Sequence, residues 1–305
     1  MNRSLANWLA DNLGGAVVVT ALLGLLPLLG VGFAFFLPGA VPALIVLVRG
    51  PRAGLGVALG AAGLLAGSML LFGRPMGVGL VYSAWVLGPP LALAVLLRGA
   101  GSLSLCLQVA TLVGALLLVV LHVAFGDPEQ FWAPFVRDLA QEMQKHGLPA
   151  EVLEDGLADT LARTLWGWVA VLTMLLAMCA LFLARWWQSL PEHAGSFGAE
   201  FRQLRLGRVL GVAAALVIAW SLLSDQPLIA DIGRLFLGAL VIVGLAVMHR
   251  TVASGKLATA WLWVTYALLV VLPPAAVAGL AGWGFVDNWS RSQRVTFDNR
   301  QTKTD

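Results

Sequence analysis

The sequence predicts an all-α protein, a polytopic bundle of about nine transmembrane helices with a helical hairpin on its outer side. Three observations carry that prediction. Apolar residues make up 59% of the chain and charged residues only 11%, against about 25% charged in a soluble domain. Uncharged runs of roughly the 20 residues needed to cross a hydrocarbon core recur along the chain. The basic residues gather in the short connections between those runs, which argues against nucleic acid as a partner despite a net charge of +3.

Leu13 to Val48 is an uncharged stretch of 36 residues, too long for one span. Pro27, Gly30, Gly32, Pro38 and Pro42 punctuate it, so it divides near Gly30 into two spans, the second short and proline-broken. Further uncharged windows run Ala53–Gly73, Pro75–Leu97, Gly99–Gly126, Thr164–Ala184 and Val209–Ser224. Pro227–Met248, interrupted by Asp231 and Arg234, and Leu257–Gly282 complete the set. The organisation read from this is a transmembrane bundle over 1–125, an external insertion over 126–163, and a sixth span with a basic loop over 164–208. Transmembrane spans over 209–283 and a polar basic tail over 284–305 follow.

Orientation follows from the lysines and arginines in short loops. With the N-terminus inside, the inner set is Arg3, Arg49, Arg52, Arg98, Arg185, Arg202, Arg205, Arg208, Arg250 and Lys256. The outer loops hold only Arg74, Arg137, Lys145 and Arg163. Nine spans would leave the C-terminus outside, in conflict with Arg291, Arg294, Arg300 and Lys303; an eighth-span or tenth-span count would relieve it.

In the 126–163 insertion, Asp127-Pro128-Glu129 reads as a helix start, with an acidic N-cap and proline in the first turn. Phe131, Phe135, Leu139 and Met143 recur every four residues, and Gly147 with Pro149 closes the helix. A second helix from Pro149 presents Val152, Leu153, Leu157 and Leu161. The stripe predicts a hairpin lying on the membrane or capping the bundle; a solvated linker is the alternative. On the inner side, Trp186, Trp187, Phe197, Phe201, Arg202, Leu204, Arg205, Leu206 and Arg208 form a basic amphipathic stretch. Arg202, Arg205 and Arg208 are expected to contact anionic lipid or to dock a cytoplasmic or membrane partner protein.

Candidate chemistry is sparse. Gly56, Gly60, Gly63 and Gly67 share one face of the third span and predict close helix packing or a groove. Asp231 and Arg234, one turn apart inside a span, are a structural ion pair or a solute or proton site. His122, alone near the end of the fifth span, reads as an interfacial or hydrogen-bonded histidine. Tyr82, Ser83, Trp85, Gln108 and Thr111 are possible lining residues of a small-solute site. Cys106 and Cys179 read as buried hydrophobes. There is no GxGxxG, HExxH or GxSxG and no metal-ligand spacing, so no enzyme, no metal and no cofactor are expected.

Two stretches resemble the YybS-like family of bacterial inner-membrane proteins. They are the loop Leu183-Ala-Arg-Trp-Trp-Gln-Ser-Leu190 with Phe197-Gly-Ala-Glu-Phe-Arg-Gln-Leu-Arg-Leu206, and the ending Gly284-Phe-Val-Asp-Asn-Trp289. The resemblance implies a bacterial inner-membrane protein and implies no activity. The first half, through Gly50-Pro51-Arg52-Ala53-Gly54, is distantly similar to substrate-binding subunits of energy-coupling-factor transporters and to the rod-shape protein MreD. Those subunits dock a partner with an alanine pair on the first span; here Ala16-Val-Val-Val-Thr20 lacks the second alanine. Two functions follow as expectations: a small-solute binding or transport-related subunit, or a scaffold that holds partners through the hairpin and the basic loop.

Overall fold

A computed structural model describes residues 3–146, 157–190 and 195–301, and all regular structure among them is helical. Among the described residues five helices are long and apolar enough to cross a membrane: Pro51–Phe72, Met76–Ala100, Leu103–Phe125, Leu157–Ser189 and Pro227–Ala253. Leu13–Leu28, Ala34–Arg49, Gly207–Ser221 and Ala260–Val271 are shorter apolar helices. The chain divides into two compact units, one of residues 1–110 with 173–204 and one of residues 111–172 with 205–305. The division falls within two continuous helices.

The first unit contains α1 (Arg3–Asp11), α2 (Leu13–Leu28), α3 (Leu37–Arg49), α4 (Pro51–Met69) and α5 (Met76–Ala100). To these it adds the start of α6 (Leu103–Phe125), the end of α8 (Leu157–Ser189) and the short α9 (Ser196–Phe201). Its centre is α3, the short proline-containing segment, in which every residue from Pro38 to Leu47 is buried. A helix that loses a backbone hydrogen bond at Pro42 survives in lipid only where protein surrounds it; α2, α4 and α5 do so here. Small residues set the contacts. A Cβ on Gly39 would lie 2.9 Å from the Val86 carbonyl, and one on Gly79 2.6 Å from the Ala66 Cα. The turn Gly50-Pro51 is a tight helical hairpin: Gly50 takes φ 104°, Pro51 occupies the first turn of α4, and Gly54 sits against the Pro42 carbonyl of α3.

The second unit contains the rest of α6 and α8, with α7 (Pro128–Lys145), α10 (Gly207–Ser221), α11 (Pro227–Ala253), α12 (Ala260–Val271) and α13 (Pro273–Gln301). The last apolar run, read as one span over Leu257–Gly282, is two helices. Leu272 leaves helical geometry (φ −137°, ψ 62°) and Pro273 begins the next helix. His249 at the end of α11 hydrogen-bonds Tyr266 of α12 at 2.9 Å, so α12 runs back along α11. α13 then returns in the direction of α11. Gly284 packs against the Leu240 carbonyl and Gly244, and Asp287 pairs with Arg250 one step further along both helices. The Asn288 amide makes a reciprocal pair with Gly207 at the start of α10, accepting from its N–H at 3.0 Å and donating to its carbonyl at 2.9 Å. The end of α13, the start of α10 and the end of α11 therefore share one end of this unit.

α7 begins where the sequence places it: the Asp127 carboxylate caps it by accepting from the Glu129 N–H at 2.9 Å. Its inward face differs from the stripe. Pro128 and Val136 are buried, whereas Phe135 is 52% and Leu139 43% exposed. The buried set is offset because Trp132, at the same register, packs on Trp166 of α8, ring centroids 4.9 Å apart. The hairpin turn and the start of its second helix, with Val152 and Leu153, lie outside the described residues, as do the side chains of Arg291, Arg294 and Arg300 and the whole of Lys303.

Candidate functional site

In the second unit a carboxylate sits inside protein with an arginine at one oxygen and a histidine facing the other. α11 starts at Pro227, and Asp231 projects from its second turn with no exposed surface. Arg234, one turn on, donates from Nη1 to Asp231 Oδ1 at 2.5 Å. From α6, His122 places Nε2 3.4 Å from Asp231 Oδ2, its side chain 11% exposed. From α8 comes Gly167. A Cβ there would fall 2.5 Å from Asp231 Oδ1 and 3.0 Å from its Cα, so only glycine leaves room for the carboxylate. Gly114 performs the same service one level along α6, where a Cβ would meet Leu235 of α11 at 2.9 Å. Two glycines thus let three helices close around one acid.

The hydrogen-bond geometry constrains the protons. His122 Nδ1 lies 2.9 Å from the Leu118 carbonyl of its own helix. A carbonyl oxygen only accepts, so Nδ1 carries the hydrogen. In a neutral ring Nε2 then bears a lone pair, and it faces the carboxylate oxygen Oδ2. Neither atom has another hydrogen-bond partner. The arrangement is favourable when one proton resides on Nε2 or on Oδ2, giving imidazolium with carboxylate or imidazole with carboxylic acid. Arg234 occupies the other oxygen in both states.

Aromatic rings close off the neighbouring space. Phe125, one turn beyond His122, meets Phe131 of α7 in a tilted contact with centroids 5.0 Å apart, and Phe131 meets Trp166, also tilted, at 4.8 Å. Trp166 precedes Gly167 and is buried, and its indole Nε1 and that of Trp132 have no hydrogen-bond partner. Arg163 of α8 anchors the start of α7 by donating to Glu129 at 2.6 Å. Among the described residues no group of three metal-ligating side chains is present.

The other residues singled out in the sequence lie elsewhere. Tyr82 and Trp85 belong to the first unit, where both are packed with their polar tips engaged. Tyr82 donates to the Gly24 carbonyl at 2.9 Å and Trp85 to Thr173 Oγ1 at 2.8 Å, their rings edge-on to Phe35 beside Ala21, Ala58, Ala61 and Leu65. Gln108 is half-buried on the first-unit part of α6, and Thr111 is fully buried on its second-unit part. The structure joins Asp231 to Arg234, and brings neither Tyr82, Trp85 nor Gln108 into that unit. Gly56, Gly63 and Gly67 meet nothing within 4 Å, and only Gly60 touches a neighbour, Val17; the close contacts of α4 run through Gly54, Ala61 and Ala66 instead. Ala16 and Thr20 are fully buried, with Thr20 Oγ1 bonded to the Ala16 carbonyl at 2.7 Å, so this face of α2 points into the protein. In the basic stretch Leu204 and Leu206 are buried, Arg205 and Arg208 are exposed and Arg202 is half-buried.

Sequence reasoning named His122 as a hydrogen-bonded histidine, as its Leu118 contact bears out, but did not pair it with Asp231, and it missed Gly167. His122 looked isolated because its partner is more than a hundred residues away, and Gly167 carries no local signal at all. Against known proteins, no family model matches the chain, and neither does any curated protein or solved structure.

Proposed function

We propose that the chain is a multi-pass protein of a bacterial inner membrane that binds or moves a small solute and couples that event to a proton held at Asp231. The observation that carries the reading is the Asp231–His122 pair. A fully buried carboxylate within a membrane helix is costly and marks ion or proton pathways by default, and this one faces a histidine across a gap that one proton fills. The proposal puts the solute-responsive site in the second unit rather than among the N-terminal spans.

The threading that goes with it has the N-terminus in the cytoplasm. Nine apolar helices among the described residues, five long and four short, support the nine spans expected, and the return of α13 adds a tenth. α12 rises about 18 Å, less than the hydrocarbon core, so α12 and α13 form a hairpin that reverses near or before the outer surface. Either way the basic tail comes back to the side of Arg205, Arg208 and Arg250, where the positive-inside rule wants it. Asp231 and His122 then lie toward the outer face, beneath α7.

A second reading, a scaffold without transport, draws support from the first unit, where Tyr82 and Trp85 are used to tie helices together. Affinity purification of the intact chain from native membrane, with mass spectrometry of co-purified small molecules and proteins, separates the two. A small molecule held by the wild type and lost from Asp231→Asn is the expected result. No retained molecule, with the same protein partners in both, would hand the function to the scaffold reading.

A further inference from the structure

The first unit holds a second polar feature, independent of Asp231. A cavity of about 280 Å³ is lined by Leu47, Leu97, Arg98, Gly101, Arg185, Gln188 and Glu200. Its polar walls are nearly all committed. Arg185 donates from Nε to Glu200 Oε2 at 3.0 Å, from Nη2 to Oε1 at 2.5 Å and from Nη1 to Gln188 Oε1 at 2.7 Å. Gln188 in turn donates from Nε2 to the Leu47 carbonyl at 3.3 Å. That leaves Arg185 neutralised by Glu200 and both ends of the Gln188 amide occupied.

Arg98 is different. Its Nη1 donates to the carbonyls of Val46 and Leu47 at 3.0 and 2.6 Å, in the last turn of α3, where Val46 also accepts from the Gly50 N–H and Leu47 from Gln188. Its remaining edge, Nε with Nη2, makes no hydrogen bond and faces no carboxylate among the described residues. That edge is the planar fork that grips a phosphate or carboxylate through two parallel hydrogen bonds. One exposed arginine of α5 therefore holds the end of α3 with one corner, keeps its recognition edge unpaired, and lines a cavity whose charged side chains sum to a net positive charge. A space of this volume takes several waters at about 30 Å³ each, or one phosphate group.

We infer that this cavity binds a phosphate group, with Arg98 as its bidentate anchor. Its lining residues Arg98, Arg185, Gln188 and Glu200 belong to the two basic connections that the proposed threading puts inside, where anionic phospholipid headgroups concentrate. A lipid headgroup and free phosphate present the same chemistry, and the test tells them apart.

The full chain, purified in an uncharged detergent, is titrated with short-chain phosphatidylglycerol and separately with inorganic phosphate, and bound equivalents are counted by native mass spectrometry. One equivalent should bind. Arg98→Gln should weaken binding by about tenfold or more, the scale of one lost charge-assisted contact. Arg98→Lys should fall between the two, because an ammonium keeps the charge without the fork. Glu200→Gln, which releases the fork of Arg185 into the cavity, should bind more tightly than wild type. Arg52→Gln, an equally exposed basic site away from the cavity, should match wild type. Binding of the lipid alone identifies a headgroup site and binding of both probes a phosphate site; each supports the inference. Because Arg98 also caps α3, a misfolded Arg98→Gln leaves the decision to Arg98→Lys and Glu200→Gln. Failure of the wild type to bind either probe overturns the inference. Equal binding by wild type and a folded Arg98→Gln does so too, as does weaker binding by Glu200→Gln.

Discussion

At the scale of single residues, the Asp231 site shows why a buried charge is tolerated. Asp231 has no exposed surface, yet Arg234 binds one oxygen and His122 faces the other. Removing one partner of such a pair strands the other, a loss of about 3–5 kcal/mol, whereas replacing both is far milder. Arg234→Met should therefore destabilise the purified chain by about 3 kcal/mol, and Asp231→Asn with Arg234→Met should recover most of it, read as thermal unfolding in detergent. If the double variant is no better than the single one, the pair is not coupled. Gly167 tests the same site by volume. Gly167→Val would drive methyl groups into the Asp231 carboxylate, where even a Cβ comes within 2.5 Å. A cost of about 1–3 kcal/mol is expected from overpacking, while the same change at Gly63, which meets nothing within 4 Å, should be nearly silent.

At the scale of elements, local chemistry was the most legible part of the sequence. Asp127-Pro128 starts α7 because a carboxylate accepts from the free N–H groups of a first turn, and that needs no knowledge of neighbours. Gly50-Pro51 ends one helix and starts the next for equally local reasons. Faces were less legible. Phe131, Phe135 and Leu139 form a regular stripe, but Trp132, one position over, wins the interior because Trp166 waits for it on α8. The split at Leu272 was hidden for another reason: hydropathy does not change across Pro273-Pro274, so an apolar run of 26 residues from Leu257 to Gly282 looks like one span. The ending Gly284 to Trp289, noticed first as a resemblance, has a structural explanation. Gly284 allows contact with Gly244, Asp287 binds Arg250 and Asn288 clamps Gly207. Asn288→Leu forfeits two hydrogen bonds at a half-buried backbone, about 2 kcal/mol together, and should release α13. Faster protease cleavage within 290–301 than in wild type is the expected readout; an unchanged rate would mean that the packing at Gly244 and Gly284 suffices alone.

At the scale of the whole molecule, the proposed threading takes its orientation from the count of basic residues, and the direction of α13 supports an inside C-terminus. Nine crossings leave Arg291, Arg294, Arg300 and Lys303 on the side that the other loops keep poor in positive charge. Long-range pairs support the other answer, and they are of a kind no sequence window contains: Asn288 with Gly207 and Arg250 with Asp287 tie the base of the tail to the end of the second unit that carries Arg205 and Arg208. Reporter fusions at residues 100, 145 and 195 and at the C-terminus should accordingly read inside, outside, inside and inside. The C-terminal fusion is the discriminating one, because nine simple spans require the opposite answer there and agree on the other three. An outside signal at the C-terminus would mean that α12 and α13 cross as a single bent span and that the tail is held away from Gly207. An inside signal at 145 would overturn more, since α7, Trp166 and the covered side of Asp231 all depend on that insertion facing out. Moving charge offers an independent check. If the tail is retained inside by its own basic residues, converting Arg291, Arg294 and Arg300 to glutamate should leave the upstream reporters unchanged and shift only the C-terminal one, because positive charge near a span end governs that span's orientation far more than distant ones.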